Sequence, residues 1–403
     1  MLKLSGLKFL SVFIVTCAGT LVAGEGLRVE YSYIFPGESW HNHGSCIIEL
    51  PGGDFLACWF HGSGERQADD VYIEGSRLKK GEDTWGGRFL MADTPGLPDT
   101  NCTMLVDRNE RLWLFWPVIQ DNRWESALMK YKTSLNYKNH PGPPVWDQEK
   151  VLHIKPGEQF PEIVRTKTAE YLSHTHISPR SIEWAANNFV QADDKLTRRL
   201  GWFTRAHPKQ LSDGRILLGL YSDGFSFSLT GISDDDGDSW YWSEPMVGGG
   251  NIQPSYALKP DGTLVAYMRD NGPAPKRVHV SESTDGGVHW NKVFDHGQLA
   301  NPGAGLEVTN LRDGRMAVVL NDLEQGRHQL SFGISNDGGL SFPDMHIIED
   351  AAAGTASYHY PSIVHGSDGY IHMTYSAFEK NSSTDQWEKA IKYARFLPDP
   401  SDE

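Results

Sequence analysis

Cysteine is scarce in this chain, basic residues are outnumbered, and only its first few dozen residues hold a sustained apolar run. Each shortage excludes something. Of four cysteines, Cys17 lies in an N-terminal leader, which leaves Cys46, Cys58 and Cys102. That odd number excludes a disulfide scaffold. Cys46 and Cys58 flank the turn Pro51-Gly52-Gly53-Asp54 and suit adjacent strands, either as a disulfide or as two buried thiols. Lysine and arginine total 37 against 52 acidic residues, a formal charge of −15. Nucleic-acid binding needs a basic surface, so that class is excluded. An anionic ligand must instead be drawn by a local basic pocket. The apolar run Phe9 to Val15 is too short to span a bilayer. Lys3 and Lys8 precede or flank it, and Val22-Ala23-Gly24 follow, so residues 1–24 read as a secretory signal. The mature protein is expected to be secreted or periplasmic, with no membrane span.

What is abundant is a repeat. Ser233-Asp234-Asp235-Asp236-Gly237-Asp238-Ser239-Trp240 has the form S-x-D-x-G-x-x-W. Ser283 to Trp290 repeats it, and Ser335 to Phe342 repeats it with Phe last. Copies about 50 residues apart indicate a β-propeller with one blade per repeat. The Asp holds turn N–H groups, Gly supplies positive φ, and the aromatic folds back onto the sheet. The Asp residues are expected at outer turns far from the central funnel, with Trp240, Trp290 and Phe342 largely buried.

A second repeat agrees. An apolar strand, a Gly turn and another apolar strand recur at Gly53, Gly214, Gly262, Gly314 and Gly369, with a degenerate copy at Glu110. These are hairpins with short turns, and six of them predict a six-bladed, all-β propeller. The interval from Glu110 to Gly214 is about two periods long. Residues 135–200 lack strand alternation and Ser178 to Leu200 is weakly helical, so this stretch reads as an insertion. Residues 25–403 form one domain, closed by pairing the strand near Val29-Glu30-Tyr31 with the last blade.

Residues just before each innermost strand converge on the funnel. Counting back seven to ten places from each turn gives His43, Asn101, His207, Gln253, Glu307 and Tyr360. Counting forward gives His61, Trp116, Asp223, Arg269, Asp270, Asp322 and Arg327. Some of these cap hairpin ends. As a set, polar groups at equivalent places in an apolar fold indicate a functional ring.

With its Asp-boxes and blade order, the chain resembles the sialidase (neuraminidase) superfamily of BNR-repeat propellers. That resemblance implies arginines for a substrate carboxylate, a Tyr nucleophile paired with Glu, and an Asp acid/base. Arg269 in Met268-Arg269-Asp270-Asn271-Gly272 matches the second arginine and Arg327 in Gly326-Arg327-His328 the third. Two guanidinium forks can grip one carboxylate. Tyr360 in His359-Tyr360-Pro361-Ser362 matches the tyrosine, and Asp69 or Asp70, after Gly64-Glu65-Arg66, the acid/base. Two positions depart from the pattern. The first arginine's place reads His41-Asn42-His43-Gly44-Ser45. The tyrosine's Glu falls on Gln253, which cannot take a proton, and Glu307 is the substitute one blade on.

The resemblance implies an exo-glycosidase acting on a glycan with a terminal carboxylated sugar, sialic or uronic. Arg269, Arg327, Gln253, Asn101 and Asp322 would bind it; Tyr360, Asp69 or Asp70, Glu307, His43 and His207 would carry the chemistry. The alternatives are a uronate polysaccharide lyase, with His43 or His207 and Tyr360 moving protons, and a non-catalytic glycan-binding propeller. His41-Asn42-His43 and His174-Thr175-His176 have the spacing that puts both imidazoles on one strand face. No cysteine or carboxylate stands at ligand spacing from them, so neither a metal nor a cofactor is expected.

Overall fold

In a computed structural model, the structure describes residues 20–23, 27–138 and 140–399. The sequence-predicted signal therefore lies almost wholly outside the described residues. Six small antiparallel sheets form the ring of a six-bladed propeller. Each blade is an up-and-down meander. The first pairs His41–Glu49, Phe55–Gly62, Tyr72–Leu78 and Phe89–Ala92 in that order. The last pairs Ala356–His365, Ile371–Lys380 and Trp387–Phe396, and then takes Leu27–Tyr33 from the N-terminus as its fourth strand, with Thr20–Ala23 paired outside it. This exchange closes the ring by hydrogen bonds between the two ends of the chain.

The second strand of each blade is covered on both faces by neighbouring blades. It therefore reads as a continuous apolar run rather than an alternation, as in Phe55–Gly62 and Leu112–Ile119, buried throughout. One apolar cluster fills each gap between blades. Cys46 and Cys58 are cross-strand partners, but both remain buried free thiols, as does Cys102.

The Asp-box turns follow the third strand of their blades, on the face opposite the entry of the innermost strands. In the second box, Asp285 Oδ1 accepts from His289 N at 3.0 Å, and Ser283 Oγ accepts from Gly287 N at 2.9 Å. The first and third boxes repeat this pattern. Trp290 and Phe342 are buried. Trp240 is only half-buried, contrary to the sequence expectation. The strand after it, Tyr241–Trp242, is too short to cover it, and it packs edge-on against Trp113 and Phe115.

The stretch 135–200 contributes the outer strand Gln148–Val151 of the second blade and two helices, α1 (Phe160–Ser173) and α2 (Pro179–Asp193). Ser178 caps α2 through a reciprocal pair with Ser181. Phe160 and Val164 of α1 anchor the insertion on Trp202, Phe225 and Phe227. His174 and His176 lie in the exposed turn between the helices rather than on a strand, so their imidazoles do not share a strand face. No helix among the described residues is long and apolar enough to cross a membrane.

Candidate active site

The funnel residues share one backbone feature. Nine places before each hairpin turn residue (53, 110, 214, 262, 314 and 369) stand Gly44, Asn101, Arg205, Gln253, Gly305 and Tyr360. Four of these have positive φ: Gly44 at 64°, Asn101 at 44°, Gln253 at 59° and Tyr360 at 48°. The ladders beside Gly44, Gln253 and Tyr360 slip by one residue at the same point. This is a β-bulge, which turns a side chain out of the sheet plane toward the axis. A left-handed Tyr or Gln is strained, and such strain concentrates at functional sites.

The bulges gather the site around Tyr360. Arg269 Nη1 donates to its hydroxyl at 3.4 Å, and the Arg205 guanidinium lies 4.9 Å from its ring centre. The His43 ring packs at 4.6 Å. Gly305 makes room on another side, since a Cβ there would stand 2.4 Å from Tyr360 Cδ1. Arg327 Nη1 donates to His359 Nδ1 at 2.6 Å, and Nη2 donates to Gly303 O at 2.6 Å. His359 Nδ1 therefore accepts, so Nε2 carries the proton and donates to Ser357 Oγ at 2.8 Å. Burial pushes His359 and His43 well below the usual histidine range, with the Arg327 charge adding to it.

Two carboxylates face these cations. Burial raises Glu65, against Arg66, Arg327 and Arg269, which pull it down. Burial likewise raises Asp223, against Arg269 and Arg66. Gln253 is buried; its Nε2 donates to Tyr221 Oη at 3.2 Å, and Asn101 Nδ2 donates to the same oxygen at 2.8 Å. Gln253 Oε1 has no partner among the described residues.

Other sequence-predicted residues stand apart. Asp69 and Asp70 are exposed. Asp69 accepts from Asn122 Nδ2 of the next blade at 2.8 Å and Asp70 from Ser63 N of its own loop at 3.1 Å, so both brace the loop, and Glu65 is the member of that loop turned inward. Asp322 accepts from Ala300 N at 2.8 Å and Asp270 from Gly272 N at 2.7 Å, as caps on backbone. His207 and Glu307 lie seven places before their turns, not nine. They sit two residues further down the channel and line a cavity of about 370 Å³ at the opposite mouth. Glu307 accepts from His207 N and Nδ1, both at 2.8 Å, and from Ile363 N at 2.7 Å. His207 Nε2 faces Ile47 O at 2.8 Å and Cys46 Sγ at 3.2 Å. Acceptors face both nitrogens and favour the protonated ring, so half-buried His207 pairs with buried Glu307, and neither hydrogen-bonds Tyr360 among the described residues. Arg205, Tyr221 and Glu65 were not singled out from sequence. A fixed count of nine would have found Arg205.

A family model described as BNR repeat-like domain matches residues 53–205 and 199–373. A relative named anhydrosialidase, from Macrobdella decora, is 26% identical over 191 residues, which span 42% of this chain and 25% of that protein. A protein of unknown function from Dyadobacter fermentans superposes with a TM-score of 0.68 at 15% identity, covering 93% of this chain and 99% of that one. The NanB sialidase of Streptococcus pneumoniae gives 0.66 at 13% identity, over 91% of this chain and 70% of that one. The intramolecular trans-sialidase of Ruminococcus gnavus gives 0.63 at 14% identity, over 89% and 94%. At these identities the structural likeness speaks for the fold.

Proposed function

We propose, from the premise that this chain belongs to the BNR repeat-like domain family, that it is an exported glycosidase acting on a glycan with a terminal carboxylated sugar. The observation that carries this reading is the convergence of Arg269 and Arg327 around Tyr360 at the end of a polar funnel. A guanidinium fork matches a carboxylate in shape and charge. Arg269 is the better placed of the two for a ligand, because its Nε is buried without a partner.

Tyr360 is the nucleophile, or the group that stabilises an oxocarbenium-like centre. Arg269, Arg327 and Arg205 surround it, and their positive charge favours the negative charge that develops on its oxygen. Gln253 takes no part as a base; it donates to Tyr221. Asp223 serves as acid/base. Burial favours its protonated form, which suits a proton donor to a leaving oxygen. Sialic acid is the first sugar to test, because relatives are named anhydrosialidase and intramolecular trans-sialidase. A terminal uronic acid is the second.

The test is a panel of sialylated and uronate-terminated oligosaccharides, followed by release of the acidic sugar and by ultraviolet absorbance. Release without absorbance supports the glycosidase. An absorbing, unsaturated product would assign a lyase instead, and binding without release a glycan-binding propeller.

A further inference from the structure

We infer that His41, His43 and Glu65 form a binding site for a divalent transition-metal ion of the zinc type in the wall of the funnel. One donor atom from each residue lies within 4.8 Å of the others. A zinc ion in a closed tetrahedron holds its donors about 3.4 Å apart, as bond lengths near 2.1 Å require.

Independent evidence for a ligand comes from the two imidazoles. His41 Nε2 and His43 Nδ1 are buried with no hydrogen-bond partner among the described residues, and His43 is only 6% exposed. A buried nitrogen left bare costs about 1–3 kcal/mol. Two of them beside an inward-facing carboxylate make an arrangement that a cation satisfies at once. The backbone explains why they meet. His41 and His43 lie two apart on the strand His41–Glu49 and so share a face. Asn42 between them points away, donating to Glu38 and pairing with His61. Glu65 comes from the loop after the neighbouring strand. That loop is fixed by Arg66, whose guanidinium lies 4.7 Å from the Trp124 ring centre and whose carbonyl accepts from Asn122. The sequence offered no carboxylate at ligand spacing; the fold brings one across the blade.

Two imidazoles and one carboxylate are a donor set that leaves zinc an open coordination position. Phe60 and Phe378 pack against both imidazoles. His43 also touches Tyr360 and His359, which is bound to Arg327. The open position therefore lies beside the two arginines. There the ion adds a third positive centre for the sugar carboxylate, in the place where the sequence puts histidine instead of a first arginine. The site itself stands on the geometry; this role rests on the proposed glycosidase reading.

The test uses the full chain, stripped with a chelator and titrated with zinc sulfate, with metal content measured after dialysis. About one zinc per chain is expected, together with a rise in Tm. Glu65→Gln, on a half-exposed loop, should fold normally and weaken zinc binding by more than about 100-fold, beyond what losing an outer partner costs. His43→Ala should do the same. The exposed pair His174→Ala and His176→Ala should bind zinc as the wild type does. No retention by the wild type, or full retention by both Glu65→Gln and His43→Ala, overturns the site. Affinity for a carboxylated sugar, measured with and without zinc, should differ at least tenfold. An unchanged affinity with zinc bound overturns the role while the site stands. An unchanged affinity in Arg269→Ala overturns the carboxylate reading separately.

Discussion

Arg269 and Arg327 both reach Tyr360's surroundings, yet their own contacts make them respond differently to removal. Arg327 makes two short hydrogen bonds, to His359 Nδ1 and Gly303 O. Each bond from a charged donor contributes about 1.5–3 kcal/mol. Allowing for hydration of the groups released, Arg327→Ala should cost about 2–4 kcal/mol of stability and lower Tm by several degrees. Arg269 makes one long contact, 3.4 Å to Tyr360, and leaves Nε buried without a partner. Arg269→Ala removes that unsatisfied group, so its stability should stay within about 0.5 kcal/mol of wild type. Binding should show the opposite balance. Each substitution should cost a carboxylated sugar about 2–5 kcal/mol, which is roughly 30- to 4000-fold in Kd. Arg269→Lys should recover only part, because charge returns without the fork. Calorimetric titration with the acidic sugar and with its neutral alcohol analogue, beside scanning calorimetry, reads both quantities. If Arg269→Ala weakens the neutral analogue by the same factor, the arginine does not read the carboxylate. If Arg327→Ala melts with the wild type, its two hydrogen bonds do not matter.

Tyr360→Phe removes only the hydroxyl and should abolish turnover while leaving Kd within about twofold; full activity on the true substrate would remove Tyr360 from the mechanism. Gly305→Ala should push a Cβ into Tyr360, whose Cδ1 would lie 2.4 Å away. It should lower kcat far more than it raises KM, at about 1–3 kcal/mol of stability; unchanged kcat would show that the ring is free to move. Glu307→Gln should cost about 1–3 kcal/mol, because it removes the carboxylate that accepts from His207 and Ile363 N while His207 keeps part of its solvent contact. Burial opposes both charges, but His207 and Arg205 hold Glu307 below its ordinary 4.5, and the Glu307 carboxylate holds His207 above 6.5. The pair therefore contributes fully between those two pH values. Its contribution is lost in acid as pH falls through the depressed Glu307 value, and in base as pH rises through the elevated His207 value. Chemical unfolding from pH 3 to 10 should show this dome in the wild type and a flatter profile in Glu307→Gln; parallel profiles would refute the assignment.

The propeller was legible because its signals are local. The Asp-box is a turn held by its own side chains, and the glycine hairpins mark each blade without reference to the others. Tyr360 converges with its neighbours because its distance from a hairpin turn fixes its height in the funnel. Arg269 lies at the end of a strand and Arg327 in the loop before the next one, and it was the resemblance that picked both out. His207 and Glu307 were placed on that same count with a tolerance of a few residues. A strand advances about 3.3 Å per residue, so two residues moved them from the Tyr360 mouth into the channel. The loop after Gly62 was less legible for another reason. Which of Glu65, Asp69 and Asp70 turns inward depends on Trp124 and Asn122 from the next blade, and nothing within the loop specifies that.

The shared bulge explains how such a site can exchange its chemistry while the ring persists. At each of four blades the residue nine places before the turn has left-handed backbone, whether it is Gly44, Asn101, Gln253 or Tyr360. The ladder resumes at Cys46, Ser255 and Ser362 on the far side of the bulge, so the sheet does not depend on which side chain the bulge projects. The position costs strain for any residue but glycine, and the blade's other hydrogen bonds hold it in place. The side chain at position 253 can therefore vary without changing the fold. A Gln253→Glu substitution tests that separation. It should fold as the wild type does, because the carboxylate fills the same space, and it should alter the pH dependence and rate at Tyr360 if the phenol reacts. A variant that misfolds would show that the amide donated to Tyr221 is part of the scaffold, and one that folds with an unchanged rate would show that Tyr360 works without a neighbouring base.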